Sequence, residues 1–548
     1  MKRFDLIVVG AGPAGLSAAI EGAKRGLDVV VFDENDRPGG QLFKQIHKFF
    51  GSEEHKAKTR GFRIGEELLD EALAAGVRVE LNTVVTGIYL DKEVIVDAGD
   101  GVEHYKGDSI VVATGASEKT VPFDGWTLPG VIGAGAAQTM MNIHRLKPGN
   151  RILMLGSGNV GLVVSYQLLQ AGCDVVAVVD AAPKIGGYGV HAAKVARTGV
   201  PFYLSHTIQR TDGEEAVEGV TIAEVDETWQ AVPGTEKHFD VDTICLAVGL
   251  SPMSQLLHGA GCRMADTPLG FVPETGEHGE TSIPGLFVAG DVSGIEEASS
   301  AMIEGRIAGA AASAYLGYID EDSLAESVGA FDHALAELRQ GMFAPGTRGK
   351  KTTATDEGIA VSNTLLEQGF LLEEELTRFP GVMNGRKTIR PVIECTQNIP
   401  CNPCQTACRK GCITVGKQIS DLPTVDVAKS CVGCGLCVAA CSGQAIFLVD
   451  EPAEGDVAHV TLPYEFLPVP VAGDIGTALD RSGAPLCEAE VVQVRSLPAY
   501  DDTHLVTMKV PAELSMSARF FRAGGGTPTT QSTTATRTPH TATPRSDP

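Results

Sequence analysis

Aromatic residues make up only 5% of this 548-residue sequence, and tryptophan occurs twice. Glycine is abundant instead, at 64 positions. Few large rings and many small residues predict an Ala/Gly-rich α/β protein, and a hydrophobic content of 43% excludes a disordered one. Basic residues are also scarce: 44 Lys and Arg stand against 69 Asp and Glu, a net charge of −25. Such a chain repels phosphate, which excludes nucleic acids and anionic membranes as partners; otherwise the acidity is read as solubility. No apolar run approaches the roughly 18 residues of a membrane-spanning helix. The N-terminus, MKRFDLIVVGAG, enters a strand at once, with no separate apolar leader core and no cleavage site. A cytoplasmic protein without a membrane span is therefore expected. Cysteine is missing from the first 172 residues. Cys173, Cys245, Cys262 and Cys487 stand alone, and nine more crowd between Cys395 and Cys441. In a cytoplasmic chain such clustering reads as metal binding rather than disulfides.

The length predicts several domains. Near the start, DLIVV is of strand length and is followed by Gly10, Gly12 and Gly15 in GxGxxG spacing. A helical stretch to Arg25, Gly26 as its stop and the strand LDVVVFD ending on Asp33 complete a βαβ nucleotide-binding unit. The first glycine makes the tight turn, the second admits a pyrophosphate, and the third lets helix pack on strand. The helix N-terminus offers unpaired N–H groups to phosphate, and Asp33 is placed to accept from a ribose. The same grammar recurs at 151–180, with Gly156, Gly158, Gly161 and a terminal Asp180. Asp180 favours NAD over NADP, since a 2′-phosphate would meet its carboxylate. The alternative is a second unit kept for packing alone.

The cysteine region contains an internal repeat. Cys401, Cys404, Cys408 and Cys412 align with Cys434, Cys437, Cys441 and Ala445, while Cys395 precedes the first run and Cys431 the second. The run Cys431-x2-Cys434-x2-Cys437-x3-Cys441 has iron–sulfur ligand spacing. For the first run a tetrahedral zinc site stays open as an alternative. Residues 457–510 alternate apolar and polar, as a small β domain would, and the Thr/Pro-rich end is low-complexity.

The order GxGxxG, IVVATGA (110–116), second GxGxxG, ICLAVGL (244–250) and GLFVAGD (285–291) resembles the two-dinucleotide-domain flavoproteins of the pyridine nucleotide–disulfide oxidoreductase type over residues 4 to 318. That resemblance implies FAD at the first site and NAD(H) at the second, with Asp291 beside the flavin ribityl and pyrophosphate. A helix over 297–315 would aim its N-terminus at the flavin, favouring its anionic reduced form. Implied cofactor-binding residues are Gly10, Gly12, Pro13, Ala14, Gly15, Asp33, Glu34, Gly40, Gln41, Val85, Thr114, Gly115, Gly290 and Asp291. For the second nucleotide they are Gly156, Gly158, Asn159, Val160, Gly161 and Asp180. The redox cysteine pair of disulfide reductases is missing from RPGGQLFKQIHKFFGSEE, which excludes that activity. His47 in this stretch reads as a surface or packing histidine rather than an acid/base, and no catalytic residue is assigned. The segment 117–158, with PFDGWTLPGV, is similar to the α-type subunits of multisubunit amino-acid and amine dehydrogenases such as dye-linked proline dehydrogenase, opine oxidase and hydrogen cyanide synthase.

The cysteine repeat resembles a bacterial two-cluster ferredoxin. Carried over, Cys395, Cys401, Cys404 and Cys441 hold one [4Fe–4S] cluster, and Cys408, Cys431, Cys434 and Cys437 the other. Departures are the six-residue step from Cys395 to Cys401 and Arg409 and Ser442 where proline is usual. One or two clusters are expected, two being favoured. The expected organisation is a FAD domain (1–118 and 250–320), a NAD domain (119–249), a helical connector (321–390), a ferredoxin-like domain (391–450), a small β domain (451–520) and a disordered tail (521–548). The expected function is an iron–sulfur flavoprotein subunit of an amine or amino-acid dehydrogenase, in a hetero-oligomer with an amine-oxidising flavoprotein. A ferredoxin or another electron acceptor is a further partner this reading allows. A self-sufficient NADH:ferredoxin-type oxidoreductase is the main alternative, and a structural or regulatory flavoprotein a third.

Overall fold

The computed structural model describes residues 1–99, 101–268, 270–340, 363–383, 388–451 and 455–524. Its first sheet grows from the run that opens the sequence. Lys2–Val9 pairs in parallel with Val29–Phe32 and with Val102–Val112, and Leu286–Val288 adds in parallel to the latter. Strands buried on both faces need continuous apolar runs, and Leu6, Ile7 and Val8 are fully buried. The helices Pro13–Lys24 and Ala298–Tyr315 cover one face with alanine and glycine, which lets their backbones approach. Val84–Ile88 and Glu93–Asp97 extend the sheet antiparallel.

The second unit is a parallel sheet in the order Phe202–Leu204, Asp174–Asp180, Arg151–Leu155, Thr243–Leu246 and Val131–Gly133. A three-stranded antiparallel sheet over His206–Phe239 packs on it. The chain passes between the units at Ala116–Glu118 and Leu250–Pro252, which pair with each other. This is a Rossmann-like fold of two dinucleotide-binding units.

Three features differ from the expected organisation. The helix Glu321–Leu338 does not stand free as a connector: Val328, Ala334 and Leu335 pack on Ile303 and Ile307 of the first unit. Residues 341–362 of the expected connector lie outside the described residues. The expected boundary at 450 falls inside one sheet. Ile446–Asp450 pairs antiparallel with both Arg390–Ile393 and Val457–Tyr464, and the sheet continues through His504–Pro511, Pro485–Arg495 and Ile475–Leu479. Finally, the expected tail loses its first residues to a strand. Phe520–Ala523 pairs with Ile475–Leu479 because Phe520 and Phe521 are apolar enough to close the core; residues 525–548 lie outside the described residues.

One buried ionic group joins the strand before Cys395 to this sheet. Glu394 accepts from Arg481 Nη2 and Arg519 Nε, both at 2.6 Å, and all three side chains are less than 10% exposed. Burial alone would raise the Glu394 pKa, but the two guanidinium groups outweigh it and hold it at about 2. Removing one partner from a buried ionic group leaves the rest uncompensated, at a cost of about 3–5 kcal/mol. Glu394→Gln is therefore expected to lower the thermal unfolding midpoint well beyond what a surface substitution does, which calorimetry will read.

Candidate dinucleotide site and cysteine sets

The first glycine turn opens a cavity of about 480 Å³. Gly10 sits at φ +104°, and a Cβ there would fall 2.4 Å from the Ala113 carbonyl oxygen, so only glycine fits the turn. Gly156 repeats this at φ +113°, 2.2 Å from the Ala247 carbonyl. Gly15 and Gly161 lie as tightly against the carbonyls of Gly10 and Gly156. Gly10, Gly12, Pro13, Ala14, Asp33, Glu34, Gly40, Gln41, Val85, Thr114, Gly115, Gly290 and Asp291 all line the cavity. Gly15 is a packing position beneath it.

The two strand-end aspartates bond to their own glycine turns. Asp33 is 6% exposed. Its Oδ2 accepts from Ala11 N at 2.6 Å and its Oδ1 from Asn35 N at 2.8 Å. Asp180 does the same for the second turn, accepting from Ser157 N at 2.7 Å, Ser157 Oγ at 2.6 Å and Ala182 N at 2.9 Å. Both carboxylates rigidify their own glycine turns. The exposed Glu34, one residue on, is the free carboxylate on the cavity wall.

Asn159 and Val160, assigned by sequence to the second nucleotide, also line the first cavity. The N-terminus of the helix Asn159–Gln170 thus faces the first unit. Asn159 is held by Tyr188 N, which donates to its Oδ1 at 2.8 Å, and by its own Nδ2, which donates to Glu297 at 3.1 Å. Gly158 lies beside Gly186 and Gly187. A signal for this was present in the sequence and missed. Gly39-Gly40 follows Asp33 at the spacing at which Gly186-Gly187 follows Asp180. In both units the doublet folds back on the glycine turn: Gly39 N donates to Ala11 O, and Gly187 N to Ser157 O.

His47 takes the packing role of the two that the sequence left open. It is not a surface residue: its ring lines the cavity, stacks on Phe49 and meets His191 edge-on, and its Nδ1 has no partner. Burial, then Lys194 and Arg60, push its pKa down to about 3, so it is neutral. His191, Phe50, Tyr188 and Glu297 join it on the wall, none of them marked by a motif. Burial and three nearby glutamates raise Asp291 to about 7, although Glu296 N donates to it. The N-terminus of the helix Ala298–Tyr315 does face the cavity, through Glu296, Glu297 and Ala298.

A sequence profile of the pyridine nucleotide-disulphide oxidoreductases matches residues 4–305. The chain belongs to that family. An opine oxidase subunit of Rhizobium meliloti is 31% identical over 351 residues, covering 59% of this chain and 65% of the relative, just under two thirds of its length. The HcnB subunit of hydrogen cyanide synthase from Pseudomonas aeruginosa is 30% identical over 321 residues, covering 55% and 69%. Among solved structures, L-proline dehydrogenase from P. horikoshii matches at 22% identity and a TM-score of 0.48, covering 61% of this chain and 59% of that one. Family membership makes the chain a flavin-type oxidoreductase, yet among the described residues no cysteine lines its dinucleotide cavity.

The cysteine repeat lies against this body. Cys395, Cys401, Cys404 and Cys441 line one small cavity. Burial raises the Cys401 thiol pKa first, and the nearby Cys441, Cys395 and Cys404 raise it further. Cys437 is likewise raised by burial and then by Cys431, Cys408 and Cys434. Backbone N–H groups point at the sulfurs: Cys412 N to Cys408 at 3.2 Å, Ala445 N to Cys441 at 3.4 Å and Gly433 N to Cys431 at 3.4 Å. Among the described residues, no three His, Cys, Asp or Glu side chains gather on a single ion.

The paired glycine doublets generate a test. A methyl group on Gly40 would lie 2.9 Å from Gly12 Cα, and one on Gly187 2.9 Å from Asn159 N. Gly40→Ala is expected to purify with less than half the wild-type flavin, whereas Gly187→Ala retains it, as measured by flavin absorbance per chain.

Proposed function

We propose that the chain is the electron-transfer subunit of a hetero-oligomeric amine or amino-acid dehydrogenase, carrying FAD in the first unit and two [4Fe–4S] clusters on the cysteine repeat. One observation carries this reading. Phe50 lines both the dinucleotide cavity and the cavity of Cys395, Cys401, Cys404 and Cys441, and Tyr188 on the first cavity packs in the same cluster as Cys401. A single layer of side chains separates the two.

The residues fit the groups they would hold. Glu34 and the backbone of Gly12 to Ala14 would take the ribose and pyrophosphate of FAD, and Asp291 its ribityl side. Each cysteine set supplies four sulfurs, and the N–H groups aimed at them suit bound, charged sulfur. When bound, FAD exchanges electron pairs and the clusters single electrons. Phe50, Tyr188 and Ile399 exclude water between the cavities, and neutral His47 and His191 add no charge beside them. The relatives named as oxidase and synthase subunits support a partner that oxidises the amine. The second unit, with its intact turn, would hold NAD(H), and the NADH-linked alternative rests on it.

About eight iron and eight sulfide per chain are expected in protein prepared without oxygen. Cys437→Ser should remove about half and Cys412→Ser none, because Cys412 stands at the repeat position that Ala445 fills in the second run. Four iron in the unmutated chain would sink the assignment of one set.

A second test concerns the partner. An amino acid or amine should bleach the visible spectrum of the co-expressed complex and leave the isolated chain unchanged. Bleaching of the isolated chain at a catalytic rate would place an amine site within it.

A further inference from the structure

The cluster reading above gives the second cysteine set a direction. Cys434 is the exposed member of the two sets. Exposed apolar side chains flank it in the chain, Val432 at 59% and Val427 at 61%, and Leu497, at 51%, follows Arg495, which bonds to it. Cations collect at the same place. Arg495 Nη1 donates to the carbonyls of Gly433 and Cys434, both at 3.0 Å. Lys429 Nζ donates to the Gly411 carbonyl at 2.9 Å, next to the exposed Arg409 and Lys410. The carboxylate within this group is Asp426, 3.5 Å from Lys429. Among the described residues named here four cations stand against one carboxylate, in a chain whose acidic residues outnumber its basic ones by 69 to 44.

We propose that this face, centred on Cys434, is the docking surface for an acidic one-electron carrier protein of the ferredoxin class. Its apolar patch is small and lies at the most exposed cysteine of the two sets, so contact there would bring the carrier's centre close to the set. The cations would steer an acidic partner to this spot while the rest of the chain repels it, which fixes orientation as well as encounter rate. The exchange moves one electron and no atoms: the chain is oxidised by one and the carrier's oxidised centre is reduced by one.

The probe is an acidic plant-type [2Fe–2S] ferredoxin, titrated onto the intact chain by calorimetry at low and high salt. Binding at low salt that weakens steeply with salt is expected. The variant Arg409→Glu/Lys410→Glu/Lys429→Glu should weaken it by about tenfold or more, at unchanged iron and flavin content. Lys147→Glu, exposed on the second unit, should not. Salt-insensitive binding, no binding, equal binding by the triple variant, or a basic c-type cytochrome binding this face in preference would overturn the proposal. Absence of iron from the unmutated chain would instead sink the cluster reading and take this inference with it.

Discussion

The arrangement depends on one buried ammonium. Lys48 is 5% exposed, and its Nζ donates to the carbonyls of Ala439 at 2.8 Å and Tyr500 at 2.6 Å and to Thr503 Oγ1 at 2.8 Å. A charge taken out of water is tolerated only when its donors are met. Here the first unit supplies the lysine. The acceptors come from the short helix Leu436–Ala440, between Cys437 and Cys441, and from the turn Pro498–Tyr500 and the residues after it. The ammonium is satisfied only when the cysteine region and the C-terminal sheet are docked. Burial lowers its pKa to about 8.

The bonds around Lys48 belong to the same junction. Ser442 Oγ donates to the Phe49 carbonyl at 2.7 Å, Asn402 N to Gly51 O at 3.1 Å, and Arg60 reaches Glu465 and Asp501. The segment from His47 to Arg60 therefore clasps the cysteine region and also walls the dinucleotide cavity. It cannot loosen at one without moving the other. From the second unit, Arg197 Nη1 donates to the Gln444 carbonyl at 2.9 Å, and Tyr166 donates to the Gln444 side chain at 2.8 Å. Both dinucleotide units thus hold the strand that follows Cys441.

The two units are copies that have diverged in use. Each has the turn, the capping aspartate and the glycine doublet. The difference lies after the doublet, where the first unit has Gln41 and the second Tyr188. Gln41 is exposed at the mouth of the cavity, while Tyr188 is buried against Phe50 and the first cysteine set. The second doublet therefore spends its neighbour on the junction between cavities.

The two glycine turns, the strands around them and the cysteine repeat were legible in the sequence, because each is local: a positive φ, a close backbone approach or a fixed ligand spacing is written in adjacent residues. Cys395, Cys401, Cys404 and Cys441, grouped in the sequence by likeness to a known repeat, line one cavity. The sequence did not reveal that Asp33 and Asp180 are taken by their own turns, since a terminal acid looks alike whether it meets a ribose or a backbone N–H. Nor did it reveal His47, Phe50, Tyr188 and His191, which no motif marks and which come together from two separate segments. The boundary at 450 was misplaced because a strand's partner is not encoded in the strand: Ile446–Asp450 is apolar enough for either neighbour and takes both. Short-range sterics and spacing set the cofactor cradles from sequence alone. Which cradle faces which cysteines was decided by the docking that satisfies Lys48, whose acceptors lie about four hundred residues away, beyond the reach of any local pattern.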